Sequence, residues 1–98
     1  MKHAKLTEVT ITAAECASEQ VLHDFLKSEL QLPDYYGGNL SALADCLSEF
    51  GLPTLITIKI DADLIEPGMQ AYLLRFTQVC AREALVNENL SLIIEHTK

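Results

Sequence analysis

Residues 32–47 read LPDYYGGNLSALADCL and join an aromatic loop to the beginning of a helix. Pro33 pushes the residue before it towards extended geometry, and the two glycines allow the dihedral angles of a tight turn. Asn39 follows the glycines and is a residue type preferred at helix N-caps. The stretch therefore predicts a loop over residues 31–38 and a helix that begins after Asn39.

The helix after Asn39 has an apolar side and a polar side. At 100° per residue, four large apolar side chains share one side, with Ala44 at its edge: Leu40, Leu43, Leu47 and Phe50. The opposite side carries small polar and acidic residues: Ser41, Asp45, Ser48 and Glu49. Asp45 lies near the middle of this exposed side. Because residues 32–47 contain no Lys or Arg, the surface is suited to a basic partner.

Upstream of the loop, the sequence predicts one strand and one helix. Val9 and Ile11 alternate with threonines, which is the period of a half-buried strand. Ser18 is a candidate N-cap for a helix over residues 19–30. The apolar face of that helix is predicted from helical spacing to contain Val21, Leu22, Phe25, Leu26 and Leu30.

Downstream of residue 50, two predicted strands flank a long helix. Residues 55–60, LITIKI, are rich in β-branched side chains, and a final strand is predicted over residues 90–94. Residues 61–68 are polar and rich in turn formers. The long helix is predicted from the spacing of Met69, Tyr72, Leu73, Phe76, Val79 and Cys80. The order β-α-α-β-α-β favours an α/β fold, a small three-stranded parallel sheet packed with helices.

The overall composition limits the classes of function. The chain has 98 residues, of which 49% are hydrophobic, so we expect residues 1–98 to form one domain. Seven Lys and Arg against 14 Asp and Glu give a net charge of −7, which disfavours nucleic-acid binding. Between Lys27 and Arg75 the only basic residue is Lys59. This distribution fits either a basic protein partner or an acidic surface kept for solubility.

The three cysteines, Cys16, Cys46 and Cys80, show no C-x-x-C spacing, which disfavours a disulfide framework or a zinc site. They are typical of packed, reduced thiols in a reducing compartment. No N-terminal stretch has the length of a signal-peptide core, and no segment has the roughly 20 apolar residues of a membrane span. We expect a cytoplasmic protein without membrane contact that is monomeric when free.

Candidate catalytic residues do not come together in the sequence. The three histidines are far apart in the chain: His3, His23 and His96. None stands in a glycine-rich elbow, and His23 stands next to Leu22 and three residues before Leu26 in a predicted helix, which favours a structural or surface role. Asp61, Asp63 and Glu66 lack the glycine and the distal acid of a calcium loop. We therefore expect no cofactor, no metal site and no enzyme activity, which favours a binding module.

The pattern L-P-x-Y-Y-G-x-N-L over residues 32–40, followed by D-C-L at residues 45–47, resembles the barstar family. Residues 22–30, LHDFLKSEL, resemble the first helix of that family, and the predicted order of elements agrees with it. The resemblance implies an intracellular inhibitor, or immunity protein, that has no chemistry of its own. Its second helix and the preceding loop would block the active site of a basic, secreted ribonuclease of the barnase type.

The resemblance also implies roles for single residues. Asp45 stands where the family places an acid in the position of an RNA phosphate, where it accepts hydrogen bonds from arginine and lysine. Tyr35 matches an aromatic residue that packs on the nuclease's catalytic histidine, although packing on its own domain is an alternative. Gly37 matches a turn position at which the partner can approach the backbone. Asn39 matches a position whose residue fixes the conformation of the binding loop. Glu83 is the candidate for a second acid, with a one-residue gap.

Two positions depart from the family pattern. Ser41 replaces an acidic residue and Ala44 replaces a tryptophan, which makes the contact surface smaller and less charged. The partner is then a different ribonuclease of the family, or one that is bound more weakly. An adaptor that regulates another basic protein or toxin stays open, and an enzyme with an unrecognised carboxylate site is a weaker third alternative. Tyr36 is expected to pack the loop onto the domain. Arg82 is expected to offset the charge of Glu83.

Overall fold

A computed structural model of the chain describes residues 6–97. Its elements follow in chain order as β1 (Thr7–Ile11), α1 (Glu19–Glu29), α2 (Leu40–Ser48), β2 (Thr54–Asp61), α3 (Pro67–Val86) and β3 (Leu90–Thr97). A short 3₁₀ helix, Ala13–Cys16, which the sequence analysis did not predict, stands between β1 and α1. The predicted order β-α-α-β-α-β is confirmed. Within residues 6–97, none of the helices has both the length and the apolar character needed to cross a membrane.

The sheet has β2 in its centre, paired in parallel with β1 on one side and β3 on the other. Val9, Ile56 and Leu92 lie in register across the three strands. Ile56 and Ile58 of β2 are buried, whereas Lys59 is exposed. One face of the sheet therefore builds the core beneath the helices, and the predicted three-stranded parallel sheet is confirmed.

All three α-helices contribute side chains that are at most 1% exposed: Leu22, Leu26, Leu43, Leu47, Leu73 and Phe76. The apolar residues predicted for α3 are buried, except that Val79 is only partly so. In α1 the prediction is wrong at Val21, which is 40% exposed, whereas His23 is buried. The buried side of α1 is centred on Leu22 and Leu26, and at 100° per residue His23 lies closer to that centre than Val21 does.

The ends of the helices determine where the loop and α2 begin. The side chains of Ser18 and Asn39 each accept a backbone N–H from the first turn of their helix, at 3.1 and 2.8 Å, so both predicted N-caps are confirmed. α1 ends at Glu29, and Gln31, two residues later, adopts a left-handed φ of +53°. The N–H of Leu32 then donates to the carbonyl of Lys27 at 2.9 Å, as in a Schellman motif. The chain thus turns into the loop without a glycine at this point.

The C-terminal end of α2 is held by two asparagines that follow α3. The side-chain amide of Asn87 donates to the carbonyls of Leu47 and Phe50, at 2.9 and 3.1 Å. Asn89 adds a second donor to Phe50 at 3.2 Å. Asn87 is the C-cap residue of α3, and Asn89 directly precedes β3. They also satisfy carbonyl groups at the end of the helix that carries Asp45.

Replacing Asn87 with alanine should lower the free energy of unfolding by about 1–3 kcal/mol, because partly buried carbonyls of α2 lose their donors. Chemical denaturation of the purified protein measures this effect. Glu88→Ala is the matched control, because Glu88 is exposed and its removal should change stability by less than about 0.5 kcal/mol. Equal stability of the two variants would contradict the proposed role of Asn87.

Candidate partner-binding site

The loop between α1 and α2 is anchored at several points. Leu32 is buried in the core, with 7% of its surface exposed. A tight turn follows, in which the N–H of Tyr36 donates to the carbonyl of Pro33 at 2.9 Å. The Lys27 ammonium donates to the carbonyl of Asp34 at 3.2 Å. The loop is therefore bonded both to itself and to α1.

His23 makes the contact that joins the loop to two helices. Its Nδ1 lies 2.5 Å from the Tyr36 hydroxyl, and its Nε2 lies 2.6 Å from the Tyr72 hydroxyl of α3. A neutral imidazole has one donor and one acceptor nitrogen, so one tyrosine accepts and the other donates. Burial lowers the pKa of His23, against smaller opposing effects of Glu19 and Asp24. The ring is therefore neutral at pH 7, and Tyr36 packs the loop onto the domain as predicted.

Tyr35 extends away from the domain next to this anchored residue, and 86% of its surface is exposed. The positive φ in the loop belongs to Gly38, at +69°, rather than to Gly37. A Cβ added at Gly37 would lie 3.4 Å from the Asn39 side chain, which is ordinary contact. The left-handed backbone conformation just before Asn39 thus depends on Gly38, whereas Gly37 contributes an exposed backbone surface to the same groove as Tyr35.

Ser41, Asp45 and Ser48 form an exposed ridge along α2, as the helical spacing predicted. The Ser48 hydroxyl donates to the backbone carbonyl of Asp45 at 2.7 Å. The Asp45 carboxylate itself has no hydrogen bond or ion pair with any residue between 6 and 97. It is therefore an exposed anionic acceptor that remains available to a partner.

A depression of about 410 Å³, which we call the loop groove, lies between the loop and one side of α2. Tyr35, Gly37 and Asp45 all line it, so three of the seven predicted site residues share one cavity. Glu49 lines it as well, and its lining contains no Lys or Arg. The loop groove therefore combines aromatic surface with two carboxylates.

A second depression of about 330 Å³, the α2–α3 groove, lies on the other side of α2. Ala44 and Glu83 line it, together with Arg75 and Arg82. Among the described residues, neither Arg82 nor any other residue forms an ion pair with Glu83. Ala44 and Glu83 thus lie in a different groove from Asp45. The remaining two predicted site residues, Asn39 and Ser41, are exposed and line neither groove.

Arg75 is a residue of this surface that the sequence analysis did not identify. Its guanidinium carbon lies 5.3 Å from the centre of the Tyr72 ring, which is a cation–π arrangement. The sequence contains a pattern from which Arg75 could have been identified. Arg75, Val79 and Arg82 recur at intervals of four and three residues, which places them on one face of α3. The packing of that face beside α2 was not predictable from α3 itself.

The pKa values of all three cysteine thiols are raised above their ordinary value. Burial raises the pKa of Cys16 to about 11 and that of Cys80 to about 12, so both are protonated at neutral pH. Cys46 lines the loop groove, and burial raises its pKa, assisted by Glu49 and Asp45. Between residues 6 and 97, no group of three metal-ligating side chains occurs.

The chain is a small α/β protein in which the loop groove and the exposed side of α2 form a candidate partner-binding surface. The family model described as Barstar (barnase inhibitor) matches residues 6–92, and the chain belongs to this family. The resemblance seen in the loop and second helix is thereby confirmed. The family's description is that of an inhibitor rather than an enzyme.

One curated relative is the Bacillus subtilis (strain 168) protein named "Putative ribonuclease inhibitor YrdF". It is 42% identical over 55 residues, which are 55% of this chain and 60% of that protein. The match thus spans less than two thirds of the relative's own length.

The neutral, buried state of His23 makes stability depend on pH. Because burial lowers its pKa below the ordinary value of 6.5, the unfolded chain binds the proton more tightly than the folded one. The stabilisation is fully present above pH 6.5 and is lost as pH falls from there through the folded-state pKa. The free energy of unfolding should fall with a slope of at most about 1.4 kcal/mol per pH unit.

Denaturant titrations between pH 8 and pH 5 measure this slope in the wild type, His23→Gln and His96→Gln. The His23→Gln variant should lose the histidine contribution, whereas His96→Gln should retain it because His96 is exposed. If the free energy of unfolding changed with pH in the same way in the wild type and in His23→Gln, the pH dependence could not come from His23.

Proposed function

We propose that the chain is an inhibitor of a basic, secreted microbial ribonuclease of the barnase type. It acts in the cytoplasm of the producing cell as a monomeric immunity protein that blocks the nuclease's active site. Membership of the barnase-inhibitor family supports this function. The observation that carries it is the exposed, unpaired carboxylate of Asp45, which shares the loop groove with the exposed ring of Tyr35.

The chemistry of the loop groove matches the needs of such an inhibitor. A ribonuclease binds RNA phosphate with arginine and lysine side chains, and a carboxylate accepts charge-assisted hydrogen bonds from the same groups. Asp45 is proposed to take the place of the phosphate, and Tyr35 to pack beside it as an aromatic anchor. Glu49 and Asp34 add negative charge around them, which favours encounter with a basic protein.

The anchoring of the loop supports tight binding. Tyr36 is bonded to His23, Asp34 to Lys27, and the turn before Tyr36 is closed by a backbone hydrogen bond. A surface that is already ordered loses less conformational entropy when the partner binds. The loop groove is therefore proposed to be preorganised for its partner.

Titration of a purified barnase-type ribonuclease with the wild-type protein should abolish RNA cleavage at a one-to-one ratio. Asp45→Ala should raise the dissociation constant by at least about 100-fold, since an unpaired cation would be left in a buried interface. Asp63→Ala removes the same charge from the exposed β2–α3 connection and should inhibit like the wild type. Retention of wild-type affinity by Asp45→Ala would exclude the proposed mechanism.

Association with the ribonuclease should slow as salt is raised, whereas dissociation should change little, because long-range attraction between opposite charges is screened. Stopped-flow measurements of both rate constants between about 0.02 and 0.5 M salt test this expectation. An association rate that is independent of salt would mean that the acidic surface does not steer the encounter.

A second candidate is a barstar-like adaptor that regulates a different basic protein or toxin. The specific observation that favours it is the small size of Ser41 and Ala44, which stand where the family pattern has an acid and a tryptophan. Such a partner would be captured by wild-type protein but not by Asp45→Ala, and would have no ribonuclease activity.

A further inference from the structure

The α2–α3 groove differs from the loop groove in the sign of its charge. Arg75 and Arg82 line the α2–α3 groove with Glu83, whereas Asp45 and Glu49 line the loop groove without any Lys or Arg. The two grooves lie on opposite sides of the same short helix. A partner that covers α2 must therefore meet negative charge on one side and a surplus of positive charge on the other.

The α2–α3 groove also has room for a side chain of the partner. Leu40, Ala44 and Val79 give it an aliphatic lining, and all three are only partly buried. Its volume of about 330 Å³ is large enough for one apolar side chain. The small methyl group of Ala44 leaves this space open on the α2 side.

Arg75 contacts an aromatic ring of its own helix, and that ring is bonded to another part of the domain. Its guanidinium lies over the Tyr72 ring, and the Tyr72 hydroxyl is bonded to the buried His23. A guanidinium that is already oriented loses less side-chain entropy when it binds a carboxylate, and it can do so through two parallel hydrogen bonds. Among the described residues, no acid pairs with Arg75 or Arg82.

We infer that the α2–α3 groove receives an apolar side chain of the partner that has a carboxylate next to it. This inference rests on the ribonuclease partner proposed above. That ribonuclease would carry an Asp or Glu beside an exposed apolar residue at the rim of its cationic active site. The carboxylate binds Arg75 and Arg82 while the apolar side chain covers Ala44.

The groove thereby selects among ribonucleases that share the same active-site chemistry. Every such enzyme offers cations to Asp45, so the loop groove alone does not discriminate between them. An enzyme with Lys or Arg at the rim would face two arginines, and like charges brought together in an interface cost affinity. Specificity then arises on the opposite side of α2 from the inhibitory carboxylate.

The test uses the full chain and a panel of purified barnase-type ribonucleases, with affinity measured by inhibition of RNA cleavage. For the enzyme that binds the wild type most tightly, Arg75→Glu and Arg82→Glu should each weaken binding roughly 10- to 100-fold. Lys59→Glu is the control, because it makes the same charge change on an exposed strand residue away from both grooves. The control should bind like the wild type or slightly tighter, because added negative charge attracts a basic enzyme.

Ala44→Trp tests the apolar part of the groove. The indole would fill the space next to Leu40 and Val79, so affinity for the same enzyme should fall at least tenfold while the thermal unfolding temperature stays near that of the wild type. On the enzyme side, exposed Asp and Glu residues around the active site are changed to Arg one at a time. One such enzyme variant should bind the wild-type inhibitor more weakly than the unchanged enzyme does. The same enzyme variant should bind Arg82→Glu at least tenfold more tightly than the unchanged enzyme binds Arg82→Glu.

The outcomes separate this inference from the inhibitor function. If Asp45→Ala abolishes inhibition but the groove variants bind like Lys59→Glu, the inhibitor function stands and the groove inference is overturned. If no ribonuclease of the panel is inhibited, both fall together. If Arg82→Glu abolishes a self-association seen by sedimentation but leaves enzyme binding unchanged, the groove receives a second copy of this chain and the inference is wrong.

Discussion

The buried imidazole of His23 is the interaction on which the arrangement of the binding surface depends. One ring carries two hydrogen bonds in opposite directions, to the loop through Tyr36 and to α3 through Tyr72. Both tyrosine hydroxyls are thereby paired, and burial raises the pKa of each. Because Tyr36 is bonded to His23 and faces the domain, the adjacent Tyr35 points away from the core and is almost fully exposed. A polar contact inside the domain thus sets the position of an aromatic residue on its surface.

α2 is the second organising feature, because it separates two surfaces of opposite charge. Its buried residues, Leu43 and Leu47, fix the rotation of the helix, and Asn39 and Asn87 hold its two ends. Once the rotation is fixed, Asp45 lies towards the loop groove and Ala44 towards α3. The net acidity of the chain therefore does not describe the surface around α2: the acids lie together on one side, and two arginines of α3 lie on the other.

Much of the secondary structure was predictable because its causes are local. The N-caps at Ser18 and Asn39, the β-branched run of β2 and the apolar spacing of α3 each lie within a few residues of the feature they specify. The prediction from sequence was wrong or incomplete where contacts with distant segments decide the structure. A histidine has no preference for a core on its own, and His23 is buried because hydroxyls from two other segments satisfy both of its nitrogens. At Gln31, which takes a left-handed conformation after α1, the residue type gave no indication of the turn, because glycine is the usual residue there.

The sequence by itself determined the order of the elements, the family, and the exposure of Asp45, since periodicity, caps and a contiguous motif need no knowledge of the rest of the chain. Only the tertiary structure decided how the seven candidate residues are grouped. Tyr35, Gly37 and Asp45 share one groove, whereas Glu83 lies with Ala44 and two arginines in another. Which face of α3 packs beside α2 depends on contacts between residues more than 30 positions apart, and no local pattern encodes such a contact.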